Sequence, residues 1–494
     1  MNTACLLMLS EKVRLAIGQF MRNARMHLNM SNNINRQVTS WSILTLWLFV
    51  AMLIQLLFMS GNASAASKEQ SFIPLQPIIN AMNPGEELTL KPGMYLGPVT
   101  IDKSISLLGD SSVMIVSTDT SSIQSASTNS PESTINIRAD GVKLQGFTIL
   151  HQHSTPTAAI EVEANHAEIK DIHIQTQGFG ILARDANEGI FRENDITWTG
   201  SATASSSQKG NGIDLYNAHR NHIEGNEIRG MLDGIYMENS REATVKGNTL
   251  LHTRYGIHCM YMDGSYVLDN VGEDNITGAM IMGVKNITVS GNSFRKQSEN
   301  VHSQGILLYD VHQSSIVNNS VEGNRVGMNI AESTDNDVRG NEVLRNFIGF
   351  QLVLAEGNQL HQNQFISNVI DASAVDSQDN EMSSNYWDSF RGLDLNGDGV
   401  SEMAYGINPF YEQLISRNSA YQLFFQSPGM VFLSELFTEG KENWSTDQSP
   451  LMTMTMEPQQ QPGTTNDTIP VWVIGVILLC IAACIMIYSG GLRK

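Results

Sequence analysis

Soft donors crowd one stretch of this chain. His258, Met260, Met262, Met280 and Met282 bring an imidazole and four thioethers close together in sequence. That donor set suits Cu(I), a soft ion that favours sulfur and imidazole over oxygen. Cys259 lies among them, and its fate depends on which way its strand points. A second group, Asp394-Leu-Asn-Gly-Asp-Gly-Val-Ser-Glu402, alternates oxygen donors. Asp394, Asn396 and Asp398 with Gly399 at the sixth place follow an EF-hand-like calcium loop, with Glu402 as a further donor. The pattern departs at its twelfth place, where Tyr405 stands instead of a bidentate Glu. A structural Ca²⁺ and a metal-free Asx-rich turn are both open. Met452, Met454 and Met456 alternate in the tail, either as a further Cu(I) holder or as a chance cluster in a chain with 24 methionines.

A repeat decides whether those donors meet. Asn226, Asn248, Asn270 and Asn292 stand 22 residues apart, and after a five-residue insertion the beat resumes at Asn319, Asn341, Asn363 and Asn385. Gly212, Gly234, Gly256 and Gly278 keep the same step, as do Gly305, Gly327 and Gly349. A fixed period in this range marks a solenoid. Within each unit apolar residues alternate, as in Gly234-Ile-Tyr-Met-Glu-Asn239, which is the signal of a half-buried strand. Three short strands per unit give an all-β fold, a right-handed parallel β-helix. The count is 11–12 coils, and at roughly 4.8 Å per coil the rod is about 50–60 Å long. Glycine and asparagine are expected at corners with positive φ, and stacked asparagine amides to hydrogen-bond along the axis. Residues 75–82 read as a short amphipathic helix covering the open first coil.

With the repeat as a ruler, side chains sort into faces. The first and third residues after each ladder glycine point inward: Ile235, Met237, Ile257, Cys259, Ile281, Ile306 and Leu308. Cys259 is therefore a buried structural thiol. The second and fourth point outward in two columns. One contains Asp214, Tyr236, His258, Met280, Leu307, Asn329 and Gln351. The other contains Tyr216, Glu238, Met260, Met282, Tyr309, Ala331 and Val353. His258, Met260, Met280 and Met282 thus share one outward patch with Met262 just beyond. Either the patch binds Cu(I), or a loop or partner covers it and uses methionine as adaptable packing. Polysaccharide-processing β-helices need acid and base groups together. These columns hold only Asp214 and Glu238, on different coils, and Glu224, Lys246, Asp337, Arg339 and His361 on the next face are mixed and scattered.

The ends and the bulk composition set the context. Residues 41–58 are apolar, follow Arg22, Arg25 and Arg36, and end at Ala63-Ser64-Ala65, a cleavage signal. An uncleaved anchor is the alternative. Residues 471–488 form an uncharged apolar run near the lower limit for a membrane helix, followed by Arg493 and Lys494. The positive-inside rule then puts the repeat outside the cell membrane, held by a single C-terminal anchor. Cys480 and Cys484 lie one helical turn apart in this run, as packing or as a metal pair. The expected plan is 1–65 signal peptide region, 66–410 β-helix, 411–457 amphipathic and Met-rich segment, 458–469 linker and 470–490 transmembrane helix. Within the third segment, residues 411–436 either cap the last coil or lie on a membrane partner. A net charge of −20, from 30 basic and 50 acidic residues, argues against a nucleic-acid partner.

Certain segments are similar to a known family. Asn83-Pro-Gly-Glu86, Lys91-Pro-Gly-Met-Tyr95, Tyr255-Gly-Ile-His-Cys-Met-Tyr261, Asn385-Tyr-Trp-Asp388 and Ser449-Pro-Leu-Met452 resemble NosD, the extracytoplasmic accessory protein of nitrous oxide reductase. The resemblance implies a non-enzymatic maturation factor for the reductase's copper–sulfide centre. It implies work with an ABC transporter, through its ATPase and permease subunits, and with a copper chaperone. The chain departs from the family in Cys259, where an aromatic is common, and in its C-terminal apolar run. Two other readings of a β-helix remain: a polysaccharide lyase or epimerase, and a glycan-binding surface rod.

Overall fold

A computed structural model describes residues 72–117, 132–201, 204–297 and 300–454. The expected signal region, linker and transmembrane helix lie outside the described residues. Among the described residues no helix is long and apolar enough to cross a membrane.

Each coil lays down three short strands, and each strand pairs in parallel with its equivalent one coil later. The first column runs through His222–Glu224, Thr244–Lys246 and Tyr266–Leu268. The second runs through Glu227–Arg229, Thr249–Leu251 and Val271–Glu273. The third runs through Asp233–Glu238, Tyr255–Met260 and Thr277–Lys285. The result is the expected all-β, right-handed parallel β-helix. It has about 13 turns rather than 11–12. The early coils escape the 22-residue ruler because their lengths differ. Leu88, Leu107, Leu144, Ile169, Phe191 and Ile223 stack in sequence, yet they stand 19, 37, 25, 22 and 32 residues apart. Inside, Ile235, Met237, Ile257, Cys259, Ile281, Ile306 and Leu308 are all buried, as the alternation requires. Each side chain of this size contributes roughly 1.5–3 kcal/mol by leaving water.

The asparagine amides stack and hydrogen-bond along the axis as expected, but the positive φ expected at the corners falls elsewhere. The ladder asparagines do not take positive φ; the residue before each does, as at Gly225, Gly247, Asp269 and Gly291. What fixes asparagine is its amide. Asn270 Oδ1 accepts from both the backbone N–H and the Nδ2 of Asn248, each at 2.9 Å, while its own Nδ2 donates to Val245 O and Asn292 Oδ1. The ladder glycines also have ordinary φ. A Cβ on Gly256 would lie 2.5 Å from the carbonyl oxygen of Gly278, so the coils approach too closely there for any side chain. Two further amide ladders mark the other corners. Asn275, Gln297, Asn324 and Asn346 line one of them. Asn336, Asn358 and Asn380 line the other.

Both ends are closed. The α-helix Leu75–Ala81 buries Leu75 and Ile79 against the first coil. Its Gln76 accepts from Thr100 N and donates to Thr100 O, which satisfies an edge strand. At the other end Thr446–Asp447 returns as a strand beside Glu381–Ser383. The last asparagine of the ladder, Asn385, finds a carboxylate there. Asp447 Oδ2 accepts from Asn385 N, Asn385 Nδ2 and Trp387 Nε1 at 3.0–3.1 Å. The α-helices Phe410–Arg417 and Pro428–Leu436 therefore do not cap the last coil. They pack on one flank, where Val326, Ile348 and Ile370 meet Phe425.

Candidate functional site

The outward patch forms on the third strand column. Its register sets Tyr236, His258, Met280 and Leu307 side by side, and Glu238, Met260, Met282 and Tyr309 beside them. The donors of neighbouring coils are thus about 4.8 Å apart along the axis. Met260, Met280 and Met282 are half-buried. Met262 is not part of this patch. It is 3% exposed and belongs to the hydrophobic core, because the chain turns at Tyr261, with φ of 53°, and reverses the alternation there. Cys259 is fully buried, and burial pushes its thiol up to about 12. It stays protonated at neutral pH and offers no thiolate to a metal.

His258 is the unusual member. It is only 6% exposed although it occupies an outward position. Tyr236 and Tyr255 pack edge-on against its ring, with centroids at 5.0 and 4.8 Å. Its Nδ1 lies 3.0 Å from Asp233 Oδ2. Asp233 is fully buried and is also gripped by Arg254, whose Nε and Nη2 donate to the two carboxylate oxygens at 2.8 and 2.7 Å. The Arg254 guanidinium in turn lies over the Tyr255 ring at 4.5 Å. Burial pushes the Asp233 carboxyl up, but hydrogen bonds from His258 and Arg254 outweigh it and hold it below the usual carboxylate range. An ionised carboxylate only accepts, so Nδ1 carries the proton. In the neutral form of the ring the lone pair then falls on Nε2. That atom is buried and has no hydrogen-bond partner among the described residues.

A carboxylate fixing one imidazole nitrogen so that the other faces a metal is the usual second shell of a histidine ligand. Here the free nitrogen belongs to a residue flanked in register by thioethers. Tyr236 Oη donates to Glu238 Oε2 at 2.6 Å and lies 3.5 Å from Met260 Sδ. One imidazole nitrogen and two or three thioether sulfurs are donor types that a soft monovalent cation prefers. Among the described residues no three His, Cys, Asp or Glu side chains converge on one point. In the calcium-like loop the side-chain oxygens turn to backbone N–H groups. Asp394 accepts from Gly397 N and Gly399 N, Asp398 from Val400 N, and Glu402 from Leu395 N, so these oxygens cap their own backbone. Asn396 Oδ1 accepts from Asp398 N in the same way.

Asp214 and Glu238 do not form an acid–base pair. Asp214 turns to Arg184 and Asn211, each at 2.7 Å, and burial keeps its carboxyl above the ordinary value. Asp233, Arg254 and Tyr255 escape sequence reasoning. They sit at the strand's leading edge, before or beside the ladder glycine, where alternation assigns no face. Only the matched charges of Asp233 and Arg254, on neighbouring coils, hint at them.

A family model described as "Periplasmic copper-binding protein (NosD)" matches residues 193–395 and so spans this face. The chain resembles NosD. A protein from Stutzerimonas stutzeri named "Probable ABC transporter binding protein NosD" is 28% identical over 457 residues, which cover 81% of this chain and 94% of that protein. A model described as "Right handed beta helix region" matches residues 104–271. Among solved structures, the alginate lyase AlyF-OU02 is similar with a TM-score of 0.43 and 10% identity, over 63% of this chain and 81% of that one. The periplasmic alginate epimerase AlgG follows with a TM-score of 0.37 and 13% identity, over 60% and 82%. The NosD match brings Tyr255–Met260 and Thr277–Lys285, the two strands that carry the donors, inside its bounds.

Proposed function

We propose that this protein is a NosD-type accessory factor that holds Cu(I) on the face of His258, Met260, Met280 and Met282. The ion is cargo bound for the copper–sulfide centre of nitrous oxide reductase. An ABC transporter, through its ATPase and permease subunits, and a copper chaperone act with it. The protein works on the outer side of the cell membrane, held there by residues 471–488. The observation that carries this reading is the buried Nε2 of His258, with its lone pair fixed by Asp233 and no hydrogen-bond partner among the described residues. A buried polar atom without a partner calls for an explanation, and an ion is one of the few available. The thioethers beside it select a soft cation over Zn²⁺ or Mg²⁺. The printed names of the matched family and of its Stutzerimonas stutzeri relative support the same direction.

Within this site the protein supplies geometry. Arg254 holds Asp233, Asp233 orients the imidazole, and the two tyrosines exclude water from the ring. Half-buried methionines let the ion be approached from outside, as a transfer site requires. A lyase or epimerase would need its base open to a polymer, and His258 is 6% exposed. The test is a Cu(I) competition titration against a chromogenic chelator. His258→Ala and Met260→Ala/Met282→Ala are expected to weaken binding at least about tenfold. Unchanged affinity in both, or turnover of a uronate polymer by the wild type, rejects the reading. Deletion of the gene should also strip the purified reductase of its sulfide-bridged copper spectrum.

A further inference from the structure

The flank of the last coils carries an apolar surface that the copper reading does not use. Tyr411, Leu414, Ile415, Phe425 and Met430 face inward onto Val326, Ile348 and Ile370. Phe425 stacks on Phe347 at 6.2 Å, Arg325 hydrogen-bonds Gln422, and Asn408 Nδ2 donates to Ser434 O at 2.7 Å. The segment is thus fastened to the rod from beneath. Along the same segment Leu423 is 85% exposed, and Phe424, Val431, Phe432, Leu433 and Leu436 are exposed as well. Elsewhere on the described surface, exposed large apolar side chains are mostly scattered. A cluster of this kind marks an interaction site.

We infer that this face docks in the interfacial region of a lipid bilayer. Three observations favour lipid over a protein partner. From Asn418 to Ser434 there is no charged residue, in a chain whose net charge is −20. The exposed apolar groups are chiefly phenyl and aliphatic, and the exposed charges Arg417 and Glu435 lie just outside the uncharged stretch, a border that suits the headgroup level. Finally, the sequence places the uncharged apolar run 471–488 soon after Met454, the last described residue. Residues 455–470 span at most about 55 Å when fully extended, so a bilayer holding that run lies within reach of the flank. The contact has a consequence for the site. Val326, Ile348 and Ile370 stack in one column with Gln304, Thr277, Tyr255 and Asp233. Docking therefore brings the His258 face to within three coils of the anchored flank, about 15 Å along the axis. The inference uses the expected anchor for its geometry and does not depend on copper binding.

The test uses the full chain in phosphatidylcholine vesicles. Spin labels are placed at Leu423→Cys and Phe432→Cys, with Val301→Cys, which is 73% exposed, as the aqueous reference. Cys5, Cys480 and Cys484 are replaced by serine, and buried Cys259 is left in place. The labels at 423 and 432 should be shielded from an aqueous nickel reagent and open to oxygen, at about 5–10 Å below the headgroups. The label at 301 should stay aqueous, and raising the salt should change neither result. Three equally aqueous labels in vesicles that retain the protein overturn the inference. So does shielding that appears only after a membrane transporter is reconstituted alongside, which would assign the face to a protein.

Discussion

Asp233 shows how much one side chain carries here. It is buried, it holds His258 in a single tautomer, and it neutralises Arg254. Asp233→Ala should lower Cu(I) affinity by about 10–100-fold while leaving every proposed ligand in place. Asp233→Asn should recover part of the loss, because its carbonyl still accepts from Nδ1. A merely structural role would move the melting temperature without this rescue of affinity. The pH dependence has a definite sign. Since the carboxyl is held below its ordinary value, its contribution is fully present above about pH 3.9 and is lost only as pH falls through the folded value. Cu(I) affinity of the wild type should therefore show no Asp233 step between pH 5 and pH 7 by competition titration. Of this site, sequence alone supplied His258, Met260, Met280 and Met282, because register in a regular coil follows from spacing. It misplaced Met262, since a turn at Tyr261 resets the alternation. It gave no hint that His258 is buried, since that depends on the tyrosines of its own and the preceding coil.

At the scale of elements, the asparagine ladder replaces what a corner otherwise loses. A turn strips backbone groups of strand partners, and each amide restores them one coil away. Asn270→Ala removes the acceptor for Asn248 N and Asn248 Nδ2 and the donor for Val245 O. These groups are buried, so the substitution should cost about 3 kcal/mol, measured as a shift in the denaturant midpoint. In a solenoid each coil touches only its neighbours. Hydrogen exchange should accordingly rise first in the coils flanking Asn270. The period of this ladder was legible in the sequence, and so was the type of each strand. The stacking of its amides was legible as well, but the corner geometry was not, because positive φ falls on the residue before each asparagine, and the glycines answer to a close approach between coils.

At the scale of the whole described β-helix both ends are closed, and the closure brings in a titratable group that the repeat does not contain. Asp371 stands where other coils have the ladder glycine. Burial pushes it up to about 7, with Ser389 donating to one oxygen and the Asp388 carboxylate adding to the rise. A carboxyl whose folded value is raised stabilises the protonated protein. Stability should be greatest near the ordinary carboxylate value, should decline as pH rises, and should level off above about pH 7. Asp371→Asn should flatten that slope and melt higher than wild type at pH 8, as read by calorimetry at pH 5 and pH 8. The sequence by itself determined the solenoid, its step, which side chains within the regular strands are core and which outward residues align, because all of these follow from local alternation and a fixed period. Only the tertiary structure decided the rest. The unequal early coils, the Asp447 carboxylate that ends the ladder, the helices fastened to the flank, and the Asp233–Arg254 grip on His258 all rest on side-chain contacts that the 22-residue step does not dictate. Such contacts are chosen by the space and the unpaired groups that neighbouring coils leave, and these exist only once the coils have stacked.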